Sequence, residues 1–173
     1  DFTDPINNKY ALDIDGYQEL YKWSIKKIPN FWSEILEYTE VKYSGDAGNV
    51  LSDLEMKPGL KWFPNISLNF AENLLKHKND ELAIISKNEN SDLVKITYNE
   101  LYLSVAKLAY SLKKLGLKQG DRVAAVLPNS HEAVIAMLAT TSIGAIWSSC
   151  SPDFGIASVT DRFKQIEPKF IFS

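Results

Sequence analysis

Apolar residues follow two different patterns along the 173-residue chain, and the change between them divides the chain in two. Up to about residue 78 the apolar positions are rich in aromatic residues and irregularly spaced. Beyond that point, short apolar runs alternate with longer stretches of helical period, as in chains where strands and helices follow one another. We therefore predict a helical and irregular N-terminal extension over 1–78 and a regular domain over 79–173.

The first helix predicted in the extension covers about residues 16–27. Asp15 and Gln18 have the spacing of a capping box, in which two side chains satisfy free backbone groups at the start of a helix. Trp23 lies on the apolar face and is the expected buried anchor. Pro29 is expected to end this helix, because proline has no backbone N–H and clashes with the preceding turn.

Two more features of the extension can be predicted. A second short helix is expected over 31–38, with Asn30 as its cap. Further along, Pro64 disfavours helical backbone at Phe63, so this segment is expected to be extended and packed. Ser67 is then expected to begin the last helix of the extension.

The regular domain begins with a predicted β-hairpin and a long helix. Apolar runs over 82–86 and 93–97 flank the polar turn sequence KNENSD. Thr97 and Glu100 form a second capping-box pattern, which opens the clearest helix of the chain. Gly116 stands just past its end, where a left-handed backbone is common.

Strands and helices then alternate with short links. The pattern predicts strands over 123–128, 145–149 and 169–173, and helices after Ser130 and over 156–166. Continuous apolar runs such as VAAVLP are typical of parallel strands that are covered on both faces. The expected fold class is α/β: part of a doubly wound parallel sheet that follows the extension.

Two loops are expected at the ligand-binding edge of this sheet, because ligands of doubly wound sheets bind beyond the carboxyl ends of the strands. They are Pro128-Asn129-Ser130 and Ser148–Ser151. The chain stops at Ser173, next to a strand that would be left at an unpaired edge, and it starts with Asp1 rather than Met. We therefore expect a fragment of a longer protein.

Composition excludes several classes of protein. The formal net charge of −3 with scattered lysines argues against a nucleic-acid partner, which would require clustered basic residues. No run approaches the ~20 apolar residues of a membrane span. The single cysteine and the polar first residues, which lack the features of a signal peptide, predict a cytoplasmic protein.

The sequence AIWSSCSPDFG concentrates candidate nucleophiles at one strand end, yet no catalytic pattern surrounds them. Cys150 as a nucleophile would require a base, and only His77 and His131 are available. The G-x-S-x-G elbow, the G-x-G-x-x-G turn and the phosphate loop G-x-x-x-x-G-K-[ST] are all absent. Two separated histidines and one cysteine match no metal-ligand spacing. The residues alone predict a functional edge at 128–130 and 148–155 without naming its chemistry.

A longer stretch resembles a known family. ITYNELYLSVAKLAYSLKKLGLKQGDRVAAVLPNSHEAVIAMLATTSIGAIWSSCSP is similar to the N-terminal subdomain of the adenylate-forming acyl-CoA synthetases. The family pattern is matched at Thr97–Leu101, Gly116–Val123, Pro128-Asn129 and Gly144-Ala145. KWFPNISLNFAENLL resembles the short-chain branch, which carries an acetyl-CoA-synthetase-type N-terminal extension. GAIWSSCSPDFG and DRFKQIEPKFIFS resemble the acetoacetyl-CoA synthetase subfamily in particular.

The resemblance implies an ATP-dependent acid–thiol ligase. Acetoacetate and ATP would form acetoacetyl-adenylate and pyrophosphate, and coenzyme A (CoA) would then displace AMP. ATP, Mg²⁺ and CoA are the implied cofactors, and the partners are these small molecules and the remainder of the chain. Two alternatives stay open: a fragment of an acetyl- or propionyl-CoA synthetase, and a stand-alone, non-catalytic α/β binding module.

The resemblance also implies one candidate site. In acetyl-CoA synthetases the residues that match Trp147, Ser148, Ser149, Cys150 and Ser151 lie near the CoA nucleotide. The phosphate loop, the adenine and ribose motifs and the catalytic lysine of the family would all lie downstream of Ser173. We therefore expect no catalytic residue, metal ligand or tightly bound cofactor in this chain, and no ligase activity from the chain alone.

Overall fold

The computed structural model describes residues 1–52, 58–89 and 92–173. By its internal contacts the chain forms two compact units, Asp1–Leu68 and Asn69–Ser173.

The first unit is mostly helical. Its elements are α1 (Thr3–Tyr10), α2 (Tyr17–Lys26), α3 (Ile28–Tyr38) and two antiparallel strands of two residues each, β1 (Ser44–Gly45) and β2 (Ile66–Ser67). Helix α1 was not predicted from the sequence. Its polar composition hides one fully buried residue, Ile6, on which the helix packs.

The predicted starts of α2 and α3 are wrong in detail. The N-cap of α2 is Gly16, and none of the described side chains caps that end, so the box expected between Asp15 and Gln18 does not form there. Helix α3 begins at Ile28, which puts Pro29 inside its first turn instead of Asn30 at its cap. Proline suits that position because the first N–H groups of a helix have no intrahelical partner in any case.

Aromatic rings line the first unit. Trp23, predicted to be a buried anchor, is half-buried, with its ring centroid 5.4 Å from that of Tyr10 and 6.2 Å from that of Phe31. The contacts continue from Phe31 to Trp32 (5.4 Å) and from Trp32 to Trp62 (5.6 Å). Tilted and edge-to-face contacts between aromatic rings thus provide much of the packing in the first unit.

The segment around Phe63 differs from the prediction. Trp62 is extended and forms an isolated antiparallel bridge with Leu51. Phe63, however, has a positive φ of 43°, the left-handed region, and not the extended backbone expected before Pro64. The turn is held because the Phe63 N–H donates to the carbonyl of Val50 (2.8 Å).

Ser67 is the last residue of β2 and does not begin a helix. The second unit instead starts with the short helix α4 (Phe70–Leu74), whose N-cap is Asn69. The Asn69 side-chain oxygen accepts from the Glu72 N–H (3.0 Å), and its amide donates to the Thr141 carbonyl (2.8 Å). An asparagine cap does here what was expected of the serine.

The predicted hairpin is confirmed as β3 (Leu82–Ser86) and β4 (Val94–Thr97), which pair antiparallel. Two residues of the predicted KNENSD turn, Asn90 and Ser91, lie outside the described residues.

The helix that follows, α5 (Tyr98–Lys114), has the capping box read from the sequence. The Glu100 N–H donates to Thr97 Oγ1 (3.2 Å), and the Thr97 N–H donates to Glu100 Oε2 (2.8 Å). Gly116, just past the helix end, has a φ of 89°, as predicted.

The predicted parallel sheet is also confirmed. Its strands are β5 (Arg122–Val126), β6 (Ile146–Cys150) and β7 (Phe170–Phe172), in the order β6–β5–β7. Helices α6 (His131–Ser142) and α7 (Ile156–Ile166) connect them. Because β7 returns to the far side of β5, the two connections run in opposite directions across the sheet.

The two faces of the sheet are covered by different helices. Val123 packs with Leu138 of α6 in one cluster, while Ala124, the next residue, packs with Phe163 of α7 in another. Successive strand residues face opposite sides, so α6 and α7 lie on opposite faces. This is the doubly wound arrangement that the sequence predicted.

Candidate functional site

The carboxyl ends of β5 and β6 form the candidate site. Val126 pairs with Cys150, so the two strands end at the same level. The loop after β5 leads to α6 on one face, and the loop after β6 leads to α7 on the other. Adjacent strands whose loops diverge in this way leave a crevice between them, which is where doubly wound sheets bind ligands.

Trp147 and Ser149 share the face covered by α6. The indole Nε1 of Trp147 donates to Ser149 Oγ (3.2 Å), and its ring centroid lies 6.0 Å from that of Phe172. Trp147 is half-buried and Ser149 is exposed. The serine hydroxyl can therefore meet a ligand while it holds the indole in place.

Ser148 and Cys150 belong to the opposite face. Cys150 is buried with Ala124 and Phe163, and its Sγ lies 3.8 Å from the Ala125 carbonyl oxygen. A thiol in these surroundings is a packing residue, because nucleophilic cysteines need exposure and a neighbouring base or cation. Ser148 is half-buried on the same side.

Ser151 organises the loop after β6. Its hydroxyl donates to Asp153 Oδ2 (2.8 Å) and lies within hydrogen-bond distance of the Asp153 N–H (3.3 Å). Its carbonyl accepts from the Phe154 N–H (3.2 Å). The five residues singled out in the sequence are therefore split between two faces and a loop, and they do not converge on one point.

The loop after β5 borders a small cavity of about 210 Å³ beside the end of β3. His131 Nε2 lies 3.1 Å from Glu132 Oε1, and its Nδ1 is buried without a hydrogen-bond partner in the described part of the chain. The hydroxyl of Ser130 and the adjacent backbone lower the pKa of Glu132, more than its partial burial raises it. His131 and Cys150 line different faces, so they do not form a catalytic pair.

The amino ends of β5 and β7 are held together by three charged residues, Asp121, Arg122 and Lys169. Lys169 Nζ contacts Asp121 Oδ2 (2.8 Å) and, with the Lys118 N–H, lowers the pKa of the Asp121 carboxyl. Arg122 Nε donates to the carbonyl of Ile166 at the end of α7. The family pattern included Asp121 and Arg122, but their role in joining β5, β7 and α7 could not be predicted from it.

One further contact at the site was not predicted from the sequence. The guanidinium carbon of Arg162, on α7, lies 5.0 Å from the ring centroid of Phe154, in the loop after β6. The spacing of eight residues did not predict the contact, because Phe154 lies in the loop before α7 and the correctly predicted bounds of that helix do not place its ring.

The described ranges contain neither a metal-binding cluster nor a membrane-spanning helix. Within residues 1–52, 58–89 and 92–173, no three His, Cys, Asp or Glu side chains are grouped so that they could hold a metal ion. In the same ranges no helix is both long and apolar enough to cross a membrane.

Comparison with known families gives two matches. The family described as "AMP-binding enzyme" matches residues 70–173, and "Acetyl-coenzyme A synthetase N-terminus" matches residues 17–74. Together they cover residues 17–173, which is most of the first compact unit and all of the second. They agree with the resemblance that the motifs carried.

Individual proteins are similar over nearly the whole chain. An acetoacetyl-CoA synthetase of Macaca fascicularis is 44% identical over 99% of this chain, and one of Rhizobium meliloti is 39% identical over 98%. The solved acetoacetyl-CoA synthetase from Streptomyces lividans matches 92% of this chain with a TM-score of 0.84 and 42% identity.

These matches cover only a part of each relative. The chain spans 26% of the length of the two relatives and 25% of the solved structure. The AMP-binding match alone accounts for more than half of the present chain, and the doubly wound sheet lies within it. The chain therefore belongs to the AMP-binding enzyme family, and an acetyl-coenzyme A synthetase N-terminal segment precedes its family domain.

Proposed function

We propose that this chain is the N-terminal part of an ATP-dependent ligase that converts acetoacetate, ATP and CoA to acetoacetyl-CoA, AMP and pyrophosphate. The observation that carries the proposal is 42–44% identity to vertebrate acetoacetyl-CoA synthetases over 99% of the chain. Family membership supports the chemistry, and the names of these relatives support the substrate.

The proposed reaction has two steps. A carboxylate oxygen of acetoacetate attacks the α-phosphorus of ATP, and pyrophosphate leaves with the bond electrons. The CoA thiolate then attacks the acyl carbonyl carbon, and the bond to AMP breaks. In both steps the protein's work is to orient the reactants and stabilise charge on phosphate.

The part of this work proposed for the present chain is to bind CoA. Trp147 to Ser151 end at the crevice between the loops, where a ligand of this fold binds. Within that stretch the exposed hydroxyl of Ser149 and the turn made by Ser151 are the groups best placed to meet the CoA nucleotide. Ser148 and Cys150 face α7 and would support the strand.

The remaining assignments follow from the same proposal. Residues 1–78 would be the synthetase-type extension and 79–173 the first part of the AMP-binding domain, in a cytoplasmic enzyme. The described residues have no cluster that fits Mg²⁺, so we assign no step of this chain to that ion. ATP and Mg²⁺ would be held by the rest of the ligase, and the chain alone would be inactive.

The test is pyrophosphate exchange into ATP, measured on the full-length protein to which this chain belongs. We expect exchange that depends on acetoacetate, and thioester formation only when CoA is added. Exchange with acetate or propionate in place of acetoacetate would favour the related synthetases. No exchange with any of the acids would support the stand-alone module and contradict the proposal.

A second arm tests the division of labour. The 173-residue chain alone should form no acetoacetyl-adenylate from acetoacetate and ATP. If it does, the assignment of adenylate formation to the rest of the ligase is wrong.

A further inference from the structure

The first unit contains a cavity that the proposed ligase reaction does not use. It has a volume of about 180 Å³ and lies between α1 and α3. Phe2, Ile6 and Tyr38 form its apolar wall, and the ring centroids of Phe2 and Tyr38 are 4.9 Å apart. Because a protein cavity of about 150 Å³ is large enough to hold benzene, this cavity has room for a small ring.

A buried carboxylate also lines the cavity. The side chain of Glu34 is only 7% exposed, and its Oε1 accepts from Lys9 Nζ and from the Tyr10 hydroxyl, both at 2.7 Å. No described residue donates to the other oxygen, Oε2, which is nevertheless not one of the fully enclosed side-chain atoms of the described residues. Oε2 therefore keeps some accessible surface, through which it can accept a hydrogen bond from a ligand.

The charges around the cavity favour a cation. Among the described residues that line it, Glu34 and Glu37 are carboxylates and Lys9 is the one cation. Lys9 Nζ lies 2.7 Å from Glu34 Oε1 and 3.7 Å from Glu37 Oε2. One ammonium between two carboxylates leaves one net negative charge, which a cationic ligand would balance. Acetoacetate, ATP and CoA are all anions, so the cavity does not suit the reactants of the proposed reaction.

We propose that this cavity binds a small organic cation, a primary ammonium attached to a compact apolar body. The ammonium donates to Glu34 Oε2, and the rings of Phe2 and Tyr38 attract its charge and pack against the apolar body. Lys9 and the Tyr10 hydroxyl hold the carboxylate in place before the ligand arrives, so little free energy is lost in ordering the site. This inference does not depend on the proposed function.

The experiment titrates the full-length protein with benzylammonium chloride, followed by saturation-transfer NMR. Benzyl alcohol has the same shape without the charge and provides the neutral comparison. We expect benzylammonium to bind with a Kd of about 1 mM, the order expected of a ligand of this size. Benzyl alcohol should bind at least about tenfold more weakly, because a neutral hydroxyl forms a weaker hydrogen bond to a carboxylate.

Two variants locate the binding. Glu34→Gln should weaken benzylammonium binding about tenfold, because the ammonium loses a hydrogen bond to a charged group. Tyr38→Leu should weaken it about threefold, the order of one cation–π contact at a partly exposed ring. Tyr38 is 57% exposed at the end of α3, so this variant keeps the test decisive if Glu34→Gln does not fold.

Tyr21→Leu is the matched control. Tyr21 is 49% exposed and belongs to the same unit, but it lies on α2 and does not line the cavity. This variant should bind benzylammonium as the unmodified protein does.

Three results would overturn the inference. One is the absence of saturation transfer to benzylammonium. A second is equal affinity for benzylammonium and benzyl alcohol, which would mean that the carboxylate takes no part in binding. The third is an unchanged Kd in Tyr38→Leu, or the same loss in Tyr21→Leu. Each result is independent of acetoacetate-dependent pyrophosphate exchange, so failure of this inference and failure of the proposed function are distinguishable.

Discussion

The two compact units bury their apolar residues by different means. The second unit uses aliphatic residues at regular spacing: Leu101, Val105 and Leu112 of α5 pack in one cluster with Val123 and Leu138. In the first unit few aliphatic residues are fully buried, and α2 buries none of its residues. A regular apolar pattern therefore predicts a core well, whereas a core built from aromatic contacts and buried hydrogen bonds leaves little periodic signal in the sequence.

A buried carboxylate links two helices of the first unit: Glu34, whose side chain belongs to a residue only 6% exposed. Its Oε1 accepts from Lys9 Nζ (2.7 Å) and from the Tyr10 hydroxyl (2.7 Å), so the carboxylate joins α3 to α1. Burial by itself raises the pKa of Glu34, but the two hydrogen bonds and the charge of Lys9 outweigh it and leave the pKa below its ordinary value. The ionised form is therefore the one that stabilises this unit.

The largest effect is expected from Glu34→Gln, which should lower the free energy of unfolding of the first unit by about 1–2 kcal/mol at pH 7. Because the folded pKa is lowered, the stabilisation by Glu34 is complete above its ordinary value of 4.5 and is lost as the pH falls through the folded pKa. The difference between the two proteins should shrink in that window. Urea unfolding followed by tryptophan fluorescence measures it, since Trp23, Trp32 and Trp62 lie in this unit.

Glu37→Gln provides the control for that experiment. Glu37 also faces Lys9, but at 3.7 Å and with a side chain that is 77% exposed. This variant should show no loss and no pH dependence. A Glu34→Gln difference that stays constant from pH 7 to pH 3 would contradict the role given to the ionised carboxylate.

A smaller effect is expected at the two capping boxes read from the sequence, one in each unit. Thr97→Ala should cost about 1 kcal/mol, because it removes the hydroxyl that accepts from the Glu100 N–H. Asp15→Ala should cost less than about 0.5 kcal/mol, since Gly16 is the cap and no side chain of the described residues bonds to that helix end. Unfolding followed by circular dichroism compares them. An equal loss at both positions would show that the two boxes do not differ.

Some elements of the fold could be predicted from the sequence and others could not. The hairpin, α5 and the parallel strands were predictable because each combines an apolar period with a local signal such as Thr97–Glu100 or Gly116. Helix α1 was not, because its stability depends on Ile6 and on a carboxylate 24 residues beyond Tyr10. Phe63 was not either, because its left-handed backbone depends on Val50, which is distant in sequence.

For the candidate site, the sequence could predict the edge but not the direction of the side chains. The strand ends after Val126 and Cys150 follow from strand order. The separation of Ser149 from Cys150 follows only from the register of β5 and β6. The contact between Arg162 and Phe154 depends on the course of the loop before α7, which the correctly predicted bounds of that helix do not determine.

The smallest effect is expected in the second unit, at a polar residue that lies in its apolar core. Thr140 of α6 is fully buried, and its hydroxyl has no hydrogen-bond partner among the described residues. Thr140→Val should leave stability unchanged or raise it by up to about 1 kcal/mol, because a buried hydroxyl without a partner costs free energy that a methyl group does not. Thr141→Val is the matched control: the Thr141 hydroxyl donates to the Met137 carbonyl (2.9 Å), so its loss should cost about 1 kcal/mol. If Thr140→Val is as destabilising as Thr141→Val, then the Thr140 hydroxyl is hydrogen-bonded, for example to a buried water. The aliphatic core of the second unit would then contain a buried hydrogen bond, as the first unit does.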